Sequence, residues 1–462
     1  MRLNRIRIGI RPILVAVVIH LFFVLICHAD VRLPSIISDH MVLQEKQDAS
    51  VWGWADPGEV IKVNVAGQER STKAFADGHW KVVFRGLKFG GPCVLTVIGK
   101  NTIVINDVLV GEVWLGSGQS NMAMKVREIR DFESVRTNCD LPMIHVFKVE
   151  SGGSTHALED CKGRWQVCTP ETVGEFSATL FLFGRELHKA LGLPLGLINS
   201  SVGATPIEAW TSPEAQRSAI ELQPHVASMS GIGELFYGKI APLTPFAIRG
   251  AIWYQGEANA NNEAGAHFYK YQLPVLIKDW RQHWGYDFPF GFVQLPNYGS
   301  RSNGWCLIRE GSLKSLSVPH TGMAITVDIG DSGNIHPKNK LEVGRRLSLW
   351  ALGDVYGKKV EATSGPIPVS WKVEGAEYKV TFKHTEGGLR TSGGSEVRGL
   401  ELAGEDKVWK PAHARIDGKR LLVSCPEVPT PVALRYAWRD FPDCNLYNGA
   451  QLPASPFRTD DW

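Results

Sequence analysis

The sequence predicts an α/β protein whose parallel-sheet core is flanked by β-rich regions on its N-terminal and C-terminal sides. Three observations support this fold class. Short strand-like segments without a helical period fill residues 30–107, strands and helices alternate over residues 108–353, and the helical period is lost again over residues 354–462. Alternating strands and helices are typical of a parallel sheet with helices on both faces.

The first 29 residues have the features of a secretory signal peptide. Four arginines precede an apolar run from Ile13 to Cys27 that is short for a membrane span, and Ala29 supplies a small residue at the cleavage point. Cleavage removes these arginines and changes the formal net charge from +3 to −1, which gives no indication of a nucleic-acid partner. We expect an exported protein, periplasmic or extracellular, without a membrane span in the mature chain; a lipoprotein cut at Cys27 is a weaker alternative.

Seven cysteines remain after residue 29, and an odd number leaves at least one of them unpaired. Disulfides can form in an exported chain, and proximity in sequence favours a bridge between Cys139 and either Cys161 or Cys168. No CxxC pair or Cys/His cluster has the spacing of a zinc site. We therefore expect neither a metal nor another cofactor.

Residues 30–107 predict a small β-sandwich-like domain. Strands are expected at residues 51–55, 60–65, 80–84 and 93–98, separated by turns such as Asp56-Pro-Gly58. In residues 60–65 apolar and polar side chains alternate, which is typical of a strand with one buried face. This domain either supports the next one or binds sugar.

Residues 108–353 predict the α/β core, and residues 354–462 a β-rich region packed on it. The expected core strands lie at residues 108–115, 142–149, 195–199, 248–254, 290–295 and 322–327. The expected helices lie at residues 121–136, 174–191, 269–283 and 339–353. Further strands are expected at residues 378–384, 421–424 and 432–438. In such a core, the functional residues usually lie in the loops at the carboxyl ends of the strands.

Ser120 follows the first core strand. The apolar run ends at Gly116-Ser-Gly118, and a polar segment with helical character begins at about Asn121. A serine at a helix N-terminus has free backbone N–H donors and the positive end of the helix dipole nearby, which favour an oxyanion. Taken alone, a Gly-x-Ser sequence is more often a simple helix cap.

Other candidate residues follow later strands of the same sheet. Gly203 can lend a backbone N–H to an oxyanion, with an ordinary loop glycine as the alternative. Gln255 can direct an amide donor at the pocket. Glu257 needs a partner at a buried strand end, in a structural salt bridge or in a catalytic role.

The loop after residues 322–327 contains Asp328, Asp331 and His336. In this loop His336 can lie over Ser120 as a general base, with an aspartate oriented to its other nitrogen. An isolated loop histidine is usually a surface residue. The catalytic interpretation is much stronger when these residues are taken together, because a serine, a glycine, a glutamine and an Asp/His pair each follow a strand, in chain order.

Three motifs resemble the sialate O-acetylesterase family of the SGNH hydrolases: Gly118-Gln-Ser-Asn-Met122, Trp253-Tyr-Gln-Gly-Glu257 and Ile335-His-Pro-Lys-Asn-Lys340. The similarity extends from residues 38–44 to residues 452–458. The resemblance implies a flavodoxin-like SGNH core with β-rich flanking domains and metal-independent deacetylation of sugars.

The resemblance also implies roles for individual residues. Ser120 is then the nucleophile, His336 is the base, and the oxyanion hole consists of the Ser120 N–H, the Gly203 N–H and the Gln255 side chain. The family's usual Asp-x-x-His spacing places the acid at Gly333, which has no side chain. The orienting acid is therefore Asp331 or Asp328, of which we favour Asp331.

Two positions depart from the family pattern. Asn334 stands where related bacterial sequences often have aspartate, and Arg309-Glu-Gly-Ser312 stands where relatives tend to have Arg-Glu-Ala-Gln. The second departure alters a possible pocket wall. Besides Arg309, we expect Asn121, Glu257 and Trp210 in the substrate pocket, although core packing is the commoner role of a tryptophan.

We therefore predict a secreted serine esterase that removes O-acetyl groups from carbohydrates and is similar to a sialate 9-O-acetylesterase. Its expected partner is an acetylated sugar or polysaccharide. One alternative is an esterase for acetylated xylan or another polysaccharide. The other, from a different functional class, is a glycan-binding relative with weakened or lost catalysis.

Overall fold

A computed structural model describes residues 30–227 and 229–462, so the predicted signal peptide lies outside the described residues. Over these ranges the chain forms 23 strands and ten α-helices. The predicted fold class, a parallel α/β core with β-rich flanking regions, is confirmed. None of the helices in these ranges is both long enough and apolar enough to cross a membrane.

The N-terminal region begins with six short strands. They are β1 (Val42–Gln44), β2 (Ala49–Trp54), β3 (Val60–Val65), β4 (Gln68–Lys73), β5 (His79–Phe84) and β6 (Gly90–Ile98). The alternation predicted in β3 is confirmed, because Ile61, Val63 and Val65 are buried while Val60 and Lys62 are exposed. We did not predict β1, which has only three residues, or β4, whose side chains are all polar.

The next strand, β7 (Thr102–Gly118), is 17 residues long and joins the N-terminal region to the α/β core. Its first half pairs with β6, and its second half pairs with strands of the core sheet. One cluster of buried apolar side chains extends from Val31 to Ile367. The boundary that we proposed between residues 107 and 108 thus falls inside one continuous strand, and the two regions share a hydrophobic core.

The core sheet places β7 at its centre. The other strands are β8 (Leu141–Val149), β9 (Gly163–Cys168), β10 (Leu195–Ser201), β11 (Gly250–Tyr254), β12 (Phe290–Val293) and β13 (Thr321–Ala324). Their order is β13-β12-β11-β7-β10-β8-β9, and every pair is parallel except β8 with β9. The carboxyl ends of the parallel strands therefore meet at one edge, where open α/β sheets bind ligands.

Helices cover both faces of this sheet. They are α1 (Ser120–Ala123), α2 (Phe132–Thr137), α3 (Ala178–Leu191), α4 (Pro213–Ser218), α5 (Gln223–Val226), α6 (Glu257–Ala260), α7 (Glu263–Ala266), α8 (Tyr269–Trp284), α9 (Gly304–Ser315) and α10 (Lys340–Trp350). On one face Trp114 packs against Phe183 of α3 and Trp350 of α10. On the other face Trp253 packs against Trp280 of α8.

The single helix predicted over residues 121–136 is wrong. The chain forms α1, a 3-10 turn at Val126–Glu128 and then α2. Tertiary pairing interrupts the helix, because the N–H of Val126 donates to the carbonyl of Phe176, and the carbonyl of Met124 accepts the N–H of Ala178. These hydrogen bonds hold Met124 and Lys125 in extended conformations.

The C-terminal region forms antiparallel strands around a second apolar core, which extends from Tyr378 to Phe457. The strands are β14 (Ile367–Glu374), β15 (Glu377–Lys383), β16 (Leu389–Thr391), β17 (Leu400–Ala403), β18 (Lys410–Pro411), β19 (His413–Asp417), β20 (Arg420–Ser424), β21 (Ala433–Tyr436), β22 (Leu446–Asn448) and β23 (Phe457–Arg458). The side chain of Arg309 on α9 connects this region to the core by donating to the carbonyls of Arg439 and Asp440 at 2.7 and 2.9 Å.

The expected disulfide is not formed. All seven cysteines in the described ranges are free. Cys139 and Cys168 are fully buried, and the Cys168 Sγ atom lies 3.5 Å from the Cys139 carbonyl oxygen, to which the thiol donates. Cys161 is also buried, and burial is the main reason why the pKa of its thiol rises to about 12.

Candidate active site

Ser120 lies just beyond the carboxyl end of β7, after a sharp turn at Gly118. Gly118 has a φ of +136°, and a Cβ atom there would come within 2.1 Å of the Tyr254 carbonyl oxygen. Only glycine tolerates this close approach of β7 to β11. The N–H of Gln119 donates to the same carbonyl at 3.0 Å, and α1 then begins. As the first residue of α1, Ser120 has a backbone N–H without an acceptor inside the helix.

The loop after β13 brings His336 to this serine. The Nε2 atom of His336 lies 2.8 Å from the Oγ atom of Ser120. The backbone N–H of His336 donates to the Oδ1 atom of Asn334 at 2.9 Å, so Asn334 stabilises the turn that presents the imidazole. A neutral imidazole at this distance can accept the hydroxyl proton as a general base.

Neither of the two predicted acids contacts the imidazole. Asp331 is exposed, and its Oδ1 atom accepts the N–H of Gly333 at 2.8 Å. Asp328 forms a bidentate ion pair with Arg346, with N–O distances of 2.6 and 2.8 Å. Within the described ranges no carboxylate forms an ion pair with the His336 ring. Asp331 therefore does not orient the His336 ring as we predicted, because its side chain accepts a hydrogen bond within a local turn instead.

The surroundings of His336 favour its neutral form. Burial lowers the pKa of the imidazole below its ordinary value, and the positive charge of Lys340 lowers it further. The negative charge of Glu128 acts in the opposite direction and is the weakest of these influences. At near-neutral pH the Nε2 lone pair is thus available to the Ser120 hydroxyl.

Gly203 lies beside Ser120 after the end of β10. A Cβ atom at Gly203 would lie 3.6 Å from the Cβ atom of Ser120, an ordinary contact distance. The N–H of Val202 donates to the Gly118 carbonyl at 3.1 Å, which holds this loop against the serine turn. Ala204 has a φ of +59°, which is uncommon for a residue with a side chain. This backbone arrangement makes the Gly203 N–H a candidate oxyanion donor.

Gln255 also follows a core strand, but its amide group is occupied. The Nε2 atom donates to the Thr205 carbonyl at 3.1 Å and to the Asn259 Oδ1 atom at 2.7 Å. The Oε1 atom accepts the Tyr269 hydroxyl at 3.1 Å. An amide has two N–H hydrogens, and both are used, so neither is left for an oxyanion. In this arrangement Gln255 instead fixes the loop that carries Gly203.

Asn121 and Glu257 are buried rather than exposed to a substrate, with exposed fractions of 0% and 2%. The Nδ2 atom of Asn121 donates to the Oε1 atom of Glu257 at 2.6 Å, and its Oδ1 atom accepts the Nζ atom of Lys340 at 2.7 Å. We call these three residues the Lys340 cluster. Burial raises the pKa of Glu257 and lowers that of Lys340 to about 7. Asn121, a member of this cluster, directly follows Ser120 in the chain.

Trp210 is a core residue and does not line an open substrate pocket. It is fully buried, and its ring packs edge-on against Trp253 at a centroid distance of 6.0 Å. Its Nε1 atom donates to the Thr205 hydroxyl at 2.9 Å. The predicted contact with substrate is wrong because Trp210 turns inward and supports the same loop as Gln255.

Arg309 does not form a pocket wall either. Its side chain is fully buried and donates to the carbonyls of Leu295, Pro296, Arg439 and Asp440. The guanidinium thus holds the loop after β12 against the C-terminal region. We did not predict α9, so Arg309 could not be assigned to one face of a helix from the sequence.

Lys340 also belongs to the site, although we predicted no role for it. It precedes Val343 and Leu347 by three and seven residues, and both of these are fully buried. Helical periodicity therefore places Lys340 on the buried face of α10, where a lysine needs polar partners. That spacing is the signal that could have identified it. Within the described ranges no group of three or more His, Cys, Asp and Glu side chains is arranged to hold a metal ion.

Comparison with known proteins relates this geometry to a family. Carbohydrate esterases of the sialic acid-specific acetylesterase family match residues 110–351. Sialate O-acetylesterase from Homo sapiens is 32% identical over 487 residues, which cover 92% of this chain and 92% of the human protein. The enzyme of the same name from Mus musculus is 30% identical and is matched over 94% of its length.

A solved structure gives the same result in three dimensions. The crystal structure of a carbohydrate acetylesterase from Xanthomonas citri has a TM-score of 0.88 and is 37% identical. The match covers 94% of this chain and all of the Xanthomonas chain. The chain therefore belongs to the sialic acid-specific acetylesterase family of carbohydrate esterases.

Proposed function

We propose that this protein is an exported serine esterase that removes O-acetyl groups from carbohydrates, with Ser120 as nucleophile and His336 as base. The observation that carries the proposal is the distance of 2.8 Å between the His336 Nε2 atom and the Ser120 Oγ atom at the carboxyl edge of the sheet. Family membership supports the same chemistry. Export is inferred from the arginine-rich and apolar leader alone.

In the first half of the reaction, His336 takes the proton of the Ser120 hydroxyl, and the oxygen attacks the acetyl carbonyl carbon. The backbone N–H groups of Ser120 and Gly203 stabilise the resulting oxyanion. Gln255 can add a third donor only if it gives up its hydrogen bond to Thr205 or Asn259. When the intermediate collapses, His336 returns the proton to the departing sugar oxygen, and acetyl-Ser120 remains.

In the second half, a water molecule replaces the sugar. His336 accepts one proton from the water as its oxygen attacks the acetyl-Ser120 carbonyl. Collapse of this second intermediate returns the proton to the Oγ atom of Ser120 and releases acetate. Each turnover thus consumes one ester and one water molecule, and it restores both side chains.

We propose an O-acetylated sialic acid as the substrate, because two sialate O-acetylesterases match this chain over nearly their whole length. The alternative substrate is an acetylated polysaccharide such as acetylxylan. The likeness to the Xanthomonas carbohydrate acetylesterase supports an acetylated carbohydrate and does not distinguish between these two.

The proposal is tested by acetate release from a panel of acetylated sialosides, acetylated xylo-oligosaccharides and an aryl acetate. Ser120→Ala is expected to abolish release from every substrate, while Ser332→Ala, an exposed serine in the loop that carries His336, retains it. Undiminished turnover by Ser120→Ala would exclude Ser120 as the nucleophile. A parent protein that binds acetylated glycans but releases no acetate, and that no phosphonate probe labels, would instead be the glycan-binding relative.

A further inference from the structure

Among residues 30–227 and 229–462 no carboxylate bonds to the His336 ring in the way that usually orients a catalytic histidine, and yet this ring is held at hydrogen-bond distance from Ser120. In a Ser-His-Asp triad, the aspartate bonds to Nδ1 and fixes both the tautomer and the orientation of the ring. Here Asp331 bonds to Gly333, and Asp328 bonds to Arg346. Another part of the chain must therefore hold the imidazole in place.

The backbone on both sides of His336 is bound to the Lys340 cluster. The Ile335 carbonyl accepts the Nδ2 atom of Asn121 at 3.0 Å. The Pro337 carbonyl accepts the Nζ atom of Lys340 at 2.7 Å. The two carbonyls that flank the base are thus held by two side chains that also bond to each other, at 2.7 Å.

Asn121 is also the immediate neighbour of Ser120 in the chain. Its side chain therefore connects the turn that carries the nucleophile directly to the loop that carries the base. Its own position is fixed by Glu257, whose Oε1 atom accepts the second hydrogen bond from Nδ2 at 2.6 Å. Asn121 and Lys340 are both fully buried, so these hydrogen bonds are sheltered from water.

We propose that Lys340 and Asn121 are the positioning residues for His336, and that they orient the base through its backbone instead of through a carboxylate on its ring. This inference rests on the proposed function, because it assumes that His336 is the base. Neither residue reaches the reacting atoms; each acts through the Ile335 or the Pro337 carbonyl.

Charge in the cluster supports the proposal. Lys340 faces the Tyr254 ring, with its Nζ atom 5.4 Å from the ring centroid, and Glu257 opposes the effect of burial on the lysine pKa. Lys340 and Glu128 are the charged groups that act on His336, and they act in opposite directions. Replacing Lys340 with a neutral residue thus removes a positive charge from the neighbourhood of the base and is expected to raise the pKa of His336.

The test compares Lys340→Met with Lys338→Met, because Lys338 is an exposed lysine in the loop that carries His336, two residues before α10 begins at Lys340. Lys340→Met is expected to lower kcat about 10²-fold, the scale that a misplacement of about 1 Å can produce, with little change in KM. The acid limb of its pH–rate profile is expected to move to higher pH. Lys338→Met retains the parent kcat and profile. A lysine with only a structural role would lower the melting temperature but leave kcat at the parent value.

A second variant keeps the test decisive if Lys340→Met does not fold. Asn121→Asp keeps the size of the side chain and its acceptor for Lys340, but it loses both donors, the one to the Ile335 carbonyl and the one to Glu257. We expect it to lower kcat and to slow the labelling of Ser120 by a phosphonate probe. A parent value of kcat in a folded Lys340→Met or Asn121→Asp variant would overturn the positioning role alone, whereas activity in Ser120→Ala would overturn the proposed function itself.

Discussion

The His336 Nε2 atom lies 2.8 Å from the Ser120 Oγ atom, although 216 residues separate them in the chain. Ser120 follows the central strand β7, whereas the loop of His336 starts from β13 at the margin of the sheet. This loop must therefore run back past β12 and β11 to reach the serine. Gly330 donates to the Asn297 side chain at 2.6 Å, and Gly299 donates to the Ser332 carbonyl at 3.2 Å, which ties the loop to its neighbour along that path.

The first prediction concerns the pH dependence of activity. In the proposed mechanism His336 works in its neutral form, so kcat/KM is expected to fall as the pH drops through the pKa of His336. Because burial and Lys340 lower that pKa, the midpoint of the acid limb is expected below the ordinary histidine value of 6.5. The measurement is kcat/KM for an aryl acetate across the acid range. An acid limb centred above 6.5 would contradict the electrostatic description of the site.

Replacing the imidazole supplies the control for this profile. His336→Gln is expected to lower kcat by about 10²–10⁴-fold, because the general base is lost. The acid limb is expected to disappear with it. If the residual activity of His336→Gln kept the same acid limb, that limb would belong to another group.

The second prediction concerns the oxyanion donor at Gly203. Gly203→Ala is expected to remain active, since a Cβ atom there meets Ser120 at an ordinary distance of 3.6 Å and the N–H is kept. Gly203→Pro removes the N–H and is expected to lower kcat about 10²–10³-fold, as the loss of one oxyanion donor does. Steady-state kinetics of the two variants, with circular dichroism to check folding, make the comparison. Equal activity in both variants would mean that this N–H does not bind the oxyanion.

The third prediction concerns the acids near the base. Asp331→Asn is expected to retain the parent kcat, because this carboxylate only closes a turn with Gly333. A loss of about 10⁴-fold, as when the aspartate of a triad is replaced, would show that Asp331 turns to His336 during catalysis. Asn334→Asp keeps the acceptor for the His336 N–H and adds a negative charge. Its acid limb is therefore expected at higher pH than that of the parent protein.

The fourth prediction concerns the connection between the core and the C-terminal region. Arg309→Met removes the guanidinium donor from four carbonyls, of which those of Pro296 and Asp440 keep a second donor, so the free energy of unfolding is expected to fall by about 3 kcal/mol. Arg85→Met is the control, because an exposed ion pair such as that between Arg85 and Asp48 contributes only about 0–1 kcal/mol. Urea unfolding of both variants measures the difference. An equal decrease in the free energy of unfolding in both variants would show that other groups donate to these carbonyls once Arg309 is replaced.

Much of the fold could be predicted from the sequence, because the signals involved are local. Hydrophobic alternation identified β3, apolar runs between glycines identified the core strands, and the long helices α3, α8 and α10 have amphipathic patterns. Elements whose form depends on distant partners were missed. Polar β4 pairs with β3, and the helix expected after Ser120 is broken by pairing with residues 176–178.

For the site, the order of residues along the chain was enough to show which of them follow each strand, and parallel strands bring such residues to one edge of the sheet. Ser120, Gly203 and His336 could be selected in this way. The hydrogen-bond partner of each polar side chain depends on how the whole chain folds. In the folded chain Asp331 accepts a hydrogen bond within a local turn, and the Gln255 amide is already hydrogen-bonded. Trp210 and Arg309 are buried, and Asn121 bonds to Lys340. The physical reason is that every buried donor and acceptor needs a partner, and distant segments supply those partners only once the chain has folded.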